Sequence, residues 1–149
     1  GTKYFVTCQT SNEVRVLSTV GDNLLQIIPT GQYPLEMAKS ASTNKIYVSC
    51  QDDPNTNPKI KGSVTVIDMN TYTYSNYKVG YQVHGIAIDE ANGILMVSSR
   101  NLNLSGPTPH HTGACGRNGF VSYFELSSMT LHKKTTEVAA DPYSIAFRP

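Results

Sequence analysis

Short runs rich in Val, Ile, Tyr and Thr recur along the chain, bounded by Gly, Pro, Asn and Asp. Lys3-Tyr4-Phe5-Val6-Thr7-Cys8, Val14-Arg15-Val16-Leu17, Lys45-Ile46-Tyr47-Val48-Ser49-Cys50, Val64-Thr65-Val66-Ile67 and Ile94-Leu95-Met96-Val97 are of this kind. Their length and their β-branched and aromatic content predict strands. Asn92-Gly93 between two such runs predicts a tight turn, and Ser42-Thr43-Asn44 fills the same place earlier in the chain. No long window carries a helical period.

The runs repeat in a fixed order. Lys3 to Gln9 matches Lys45 to Gln51, and Gly93 to Arg100 continues the series with Met96 opposite Tyr47. A second run follows each: Val14 to Leu17, Val64 to Ile67, Val121 to Phe124. A third lies between the copies: Gly31 to Ala38, Gly80 to Ala87, Ala139 to Ala146. A period of roughly 40 to 60 residues suits four strands per blade of a β-propeller. The expected fold is all-β, with four-stranded antiparallel β-propeller blades, about three of them in an incomplete ring. The blade bounds are 1–30, 31–79 and 80–138, with a closing strand within 139–149 that includes Tyr143 to Phe147. Strands a to d of a blade run from the axis outward.

The Phe-Val-Thr-Cys and Tyr-Val-Ser-Cys runs, the Val-Thr-Val-Ile-Asp that follows, and the Gly-x-x-Pro opening of strand a resemble YVTN-type β-propeller repeats. The resemblance covers nearly the whole chain, and Met96-Val97-Ser98-Ser99 departs most from the motif. It implies a propeller and an exported protein, and it implies little about activity. Rings close with about four to eight blades. The expectation is therefore the C-terminal part of a larger propeller, or several arcs assembled into one ring.

Composition narrows the function classes. The 149 residues carry a net charge of +1 with no run of like charge, so nucleic acid and anionic lipid are not expected partners. Charged residues make up 15%, against about 25% in typical domains, and neutral polar residues replace them. No stretch has the length of a membrane span. Three cysteines do not make a disulfide scaffold. Cys8 and Cys50 hold equivalent places in adjacent blades, too far apart for a direct bond. Cys50 with Cys115 is the alternative pairing, and buried free thiols are the simpler expectation.

Candidate chemistry gathers on the face reached by the b-to-c and d-to-a loops. His84, Arg100 and Asn101 lie there, as does a long loop from Asn101 to Asn118 containing His110, His111, Cys115 and Arg117. His110, His111 and Cys115, with His84 nearby, offer ligands suited to zinc or copper. This metal ion is the only cofactor in view. Arg100, Arg117 and His84 offer donors to a carboxylate or phosphate. A structural reading has the loop packing over the blade tops. Asp68 and Glu125 are expected to bond backbone amides of the c-to-d turns. Gly113-x-x-Gly116-x-x-Gly119 is not a dinucleotide fingerprint, because no helix follows it. Asn103-Leu104-Ser105 is a formal glycosylation sequon.

The reading that results is an exported binding or scaffolding module, periplasmic or at the cell surface, acting through its top-face loops. Its partner is a protein or small polar ligand, and the remaining blades lie in the same or another chain. The alternative is a propeller enzyme, a lactonase-like hydrolase or an oxidoreductase, using the loop 101–118.

Overall fold

The computed structural model describes residues 1–102 and 118–148. Ten strands follow in order: β1 Lys3–Cys8, β2 Glu13–Ser18, β3 Leu24–Pro29, β4 Pro34–Ser40, β5 Lys45–Cys50, β6 Lys61–Asp68, β7 Tyr74–Asp89, β8 Ile94–Arg100, β9 Asn118–Glu125 and β10 Leu131–Ala140. Every neighbouring pair is antiparallel. β1, β2 and β3 form one sheet, and β4 to β10 are hydrogen-bonded in chain order.

The long β7 explains that second arrangement. Its first half pairs with β6, from Tyr74 opposite Ile67 to Lys78 opposite Ser63. Its second half pairs with β8, from Val83 opposite Ser99 to Asp89 opposite Ile94. The registers shift at the junction, between Lys61 and Ser63 on one side and between Tyr81 and Val83 on the other. β7 is therefore strand d of one blade running into strand a of the next. The chain makes two four-stranded blades and a three-stranded one with β1 at its inner edge. It is an all-β, partial β-propeller.

Burial follows from stacking. The strand β5 is buried at five of its six positions because a blade covers each face. Ile46, Val48 and Cys50 join Val14, Val16 and Ile28 in the core between blades one and two. Tyr47 points the other way, into the core with Val64, Leu95, Val97 and Phe124 between blades two and three. In β2 only Val14 and Val16 are buried, while Arg15 is exposed.

The Ser or Thr of each strand b ties neighbouring blades together. Thr7 Oγ1 donates to the Leu35 carbonyl at 3.0 Å, Ser49 Oγ to the His84 carbonyl at 2.6 Å, and Ser98 Oγ to the Pro142 carbonyl at 3.2 Å. Within its own blade the hydroxyl also accepts from strand a, from Glu36 N at Ser49 and from Gly85 N at Ser98. These amides sit where the a–b register shifts, between Pro34 and Met37 and between Val83 and Ile86, so the hydroxyl serves an amide at each irregularity of the ladder. A second tie reaches the residue after strand c of the next blade. Lys3 Nζ donates to the Met69 carbonyl and Tyr47 OH to the Leu126 carbonyl, both at 2.6 Å.

Turns repeat as well. Tyr33, Gln82 and Asp141 take positive φ at the d-to-a turns, and Asp22, Tyr72 and Met129 take it at the c-to-d turns. Gly93 (φ 66°) matches Asn44 (φ 54°) at the a-to-b turn, a conformation in which Gly and Asn carry the least strain. Asp68 accepts from the amides of Asn70 and Thr71, as expected of a turn carboxylate. Glu125 instead meets the His132 imidazole.

One expected strand is absent: residues 142–148 lie in no strand. They run alongside blade three in the place of a following strand a. A Cβ on Gly85 would come within 2.6 Å of Ile145 N. A strand requires a ladder partner, and among the described residues no strand b borders this segment.

Candidate functional site

The turn chemistry described above places three side chains at one recurring position. Leu35, His84 and Tyr143 each follow the positive-φ turn residue by two places. With Glu36 they line a cavity of about 180 Å³ on the inner side of the arc. His84 is 4% exposed. Its ring centroid lies 4.6 Å from that of Tyr143, tilted by 50°. Its Nε2 is 2.9 Å from the Gln51 side-chain amide nitrogen. Gln51 is itself held by its backbone N–H, which donates to the Tyr33 carbonyl at 2.9 Å. Glu36 accepts a 3.4 Å bond from Ile86 N, which directs its carboxylate across to blade three.

Arg100 occupies in blade three the position of Gln51 in blade two. Its Nε pairs with the Asp141 carboxylate, and its Nη1 donates to Gln82 Oε1 at 3.0 Å. Both ionic side chains are almost wholly buried. The guanidinium thus joins two successive d-to-a turns, and its charge is balanced inside the fold. The sequence offers Arg100 as an anion donor, and in the fold it meets Asp141, a partner far away in sequence. Asn101 Nδ2 donates to the Asn118 carbonyl at 2.9 Å, closing the neck of the long loop. Arg100 and Asn101 also border a shallow, largely apolar cavity with Tyr81 and Phe120. His110, His111, Cys115 and Arg117 lie outside the described residues.

Among the described residues, no three His, Cys, Asp or Glu side chains gather as a metal site. Cys8 and Cys50 are free thiols. Cys50 is fully buried, and burial pushes its thiol pKa up, which keeps it protonated and inert. Asp53 is a buried carboxylate from the b-to-c loop of blade two. Ser63 Oγ donates to it at 2.7 Å and Thr56 N at 3.2 Å, so it orders that loop.

The sequence-level candidates included His84 but not Glu36, Gln51 or Tyr143. The aligned copies of the Gly31-to-Ala38 motif already put Leu35, His84 and Tyr143 in one column, which was the available signal. Gln51 and Arg100 share a column in the same way.

No protein-family profile matches the chain, and no curated protein matches it. Solved structures do. A Kuenenia stuttgartiensis hydrazine synthase chain superposes with a TM-score of 0.72 at 16% identity, over 93% of this chain and 35% of that one. A functionally unknown protein from Desulfotomaculum acetoxidans DSM 771 gives 0.54 at 17% identity, over 95% of this chain and 44% of that one. A Niastella koreensis GH74 enzyme gives 0.57 at 18% identity, over 93% and 20%. The chain spans less than half the length of each. At these identities the likeness is one of fold, and the hydrazine synthase and the GH74 enzyme are propeller-containing proteins.

Proposed function

We propose that this propeller module is exported and works as a binding module, taking a small cationic or donor-rich group at the inner mouth formed by Leu35, Glu36, His84 and Tyr143. The observation that carries the reading is the convergence of one recurring position from consecutive blades, joined by Glu36, on a single cavity. The cavity offers one carboxylate, one imidazole and two faces suited to a protonated amine or guanidinium: the Glu36 carboxylate and the Tyr143 ring. Arg100, whose charge is balanced by Asp141, adds little attraction for an anion. The low charge content and the resemblance to YVTN-type repeats support export.

Calorimetric titration with arginine methyl ester and with acetate tests the ligand class. The ester is expected to bind and acetate is not. Glu36→Gln should weaken ester binding at least tenfold. Acetate binding in place of the ester, or an unchanged affinity in Glu36→Gln, overturns the reading.

A further inference from the structure

One charged pair in blade two differs from its counterparts in the other blades. Lys3 and Lys45 open the strands b of blades one and two. Lys3 is engaged in the tie between blades, through the Met69 carbonyl at 2.6 Å and the Tyr72 hydroxyl at 3.0 Å. Phe5, two residues on, has no hydroxyl to make that tie. In blade two the same place is Tyr47, whose phenol takes the matching carbonyl of Leu126. Lys45 is thereby released from the tie. Among the described residues its ammonium has no ion-pair partner.

Asp68 stands directly opposite Lys45 in the ladder of β5 and β6. Its Oδ1 accepts from the amides of Asn70 and Thr71. Those bonds, Thr71 first and Asn70 next, hold the carboxyl below the usual aspartate range, so it is an anion at neutral pH. In blade three the matching Glu125 meets His132, whereas Asp68 and Lys45 form no ion pair. Both line one cavity of about 300 Å³, together with Val66, Tyr74, Ser75 and Tyr77. Val66 is buried and Tyr77 packs on the core between blades two and three, which gives the cavity an apolar floor. Tyr74 is exposed at its rim.

We propose that this cavity binds a free α-amino acid with an apolar side chain, as its zwitterion. Lys45 takes the ligand carboxylate and Asp68 its ammonium, and the side chain rests on Val66 beside the two tyrosines. The two protein charges come from one cross-strand pair, whose Cα atoms are about 4.5–5.5 Å apart. A ligand that meets both must carry opposite charges within one small group, as an amino acid does. A simple cation would meet Asp68 but face Lys45, and a simple anion the reverse. The volume is at the lower end of small-molecule sites. Lys45 begins β5, whereas Gln51 of the inner mouth follows its end, so the two sites lie at opposite ends of the blade. The inference therefore stands independently of the reading of the mouth.

Equilibrium dialysis against L-phenylalanine at neutral pH tests this. The chain is expected to bind it, and Glu36→Gln should leave that affinity unchanged, which separates the cavity from the mouth. The remaining arms use the Glu36→Gln background. Phenylalanine methyl ester, which lacks the carboxylate, and hydrocinnamate, which lacks the ammonium, should each bind at least about tenfold more weakly, for one lost charge-assisted contact. Lys45→Met and Asp68→Asn should each weaken phenylalanine binding by a similar factor. Asp68→Asn keeps an acceptor for the turn amides, and circular dichroism checks that both variants are folded. No binding at millimolar phenylalanine overturns the inference, as do unchanged affinities in the two variants. Analogues that bind as well as phenylalanine overturn it too, and so does a loss of binding caused by Glu36→Gln alone.

Discussion

Replacing Ser49 by Ala isolates the tie between blades two and three. The side chain is fully buried. Its hydroxyl donates to the His84 carbonyl at 2.6 Å and accepts from Glu36 N at 3.1 Å. Deleting one oxygen leaves a carbonyl and an amide without that partner at a site closed to water. Each buried unsatisfied group costs about 1–3 kcal/mol, so the expected loss is roughly 2–6 kcal/mol. For a chain of this size that lowers the melting temperature by at least about 4 °C, at about 2–4 °C per kcal/mol. Urea unfolding checks this. Far-UV circular dichroism and tyrosine fluorescence serve as probes, since the chain has nine Tyr and no Trp. Variants are compared at one protein concentration, because association would shift the midpoint. Exposed Ser127→Ala is the control, expected within about 0.5 kcal/mol of the parent. A Ser49→Ala loss no larger than the control's would refute the role of the hydroxyl as a tie between blades.

Arg100→Ala should cost about 3–5 kcal/mol, because it leaves Asp141 buried without its cation. Arg100→Met with Asp141→Asn, which keeps a side chain suited to the positive φ at 141, should recover part of that loss in the same urea experiment. The Glu90 carboxyl is held below the usual glutamate range, first by the Ser42 hydroxyl and then by Ser40 and the amides of Ala41 and Ser42. A depressed carboxyl stabilises the folded state above its unfolded value of about 4.5 and loses that contribution as pH falls further. Glu90→Gln should therefore flatten the acid limb of a stability-versus-pH curve while leaving its slope near neutrality unchanged.

The fold was legible because its determinants are local and repeated. Strand b reads as a continuous apolar run, as at Ile46-Tyr47-Val48, because blades cover both its faces. The blade order follows from three recurring motifs. What the sequence withheld is pairing across distance. Arg100 looks like a free donor until Asp141 and Gln82 are brought to it by successive d-to-a turns. The strand expected at Tyr143 to Phe147 has the right composition, but strand structure also needs a neighbour, and composition cannot supply one. Of the site residues, His84 stood out by chemical type, whereas Glu36 and Gln51 are ordinary until their blades converge. His110, His111, Cys115 and Arg117, on which the metal reading rested, lie outside the described residues.

The way the blades are tied explains where binding chemistry can vary. The strand-b hydroxyls of Thr7 and Ser49 take hold of Leu35 and His84 through their backbone carbonyls. Ser98 takes the carbonyl one residue before Tyr143. None of these ties uses the side chain at the recurring position. The second tie shows the same economy: an ammonium from Lys3 and a phenol from Tyr47 both satisfy a main-chain oxygen. A fold fastened through main-chain atoms tolerates any side chain that fits at Leu35, His84 or Tyr143. An aliphatic, an imidazole and a phenol can therefore stand in one column without disturbing the blades. Exchanging His84 and Tyr143 for other residues should alter what the mouth binds far more than it alters unfolding, because the hydrogen bonds that hold the arc together pass beneath them.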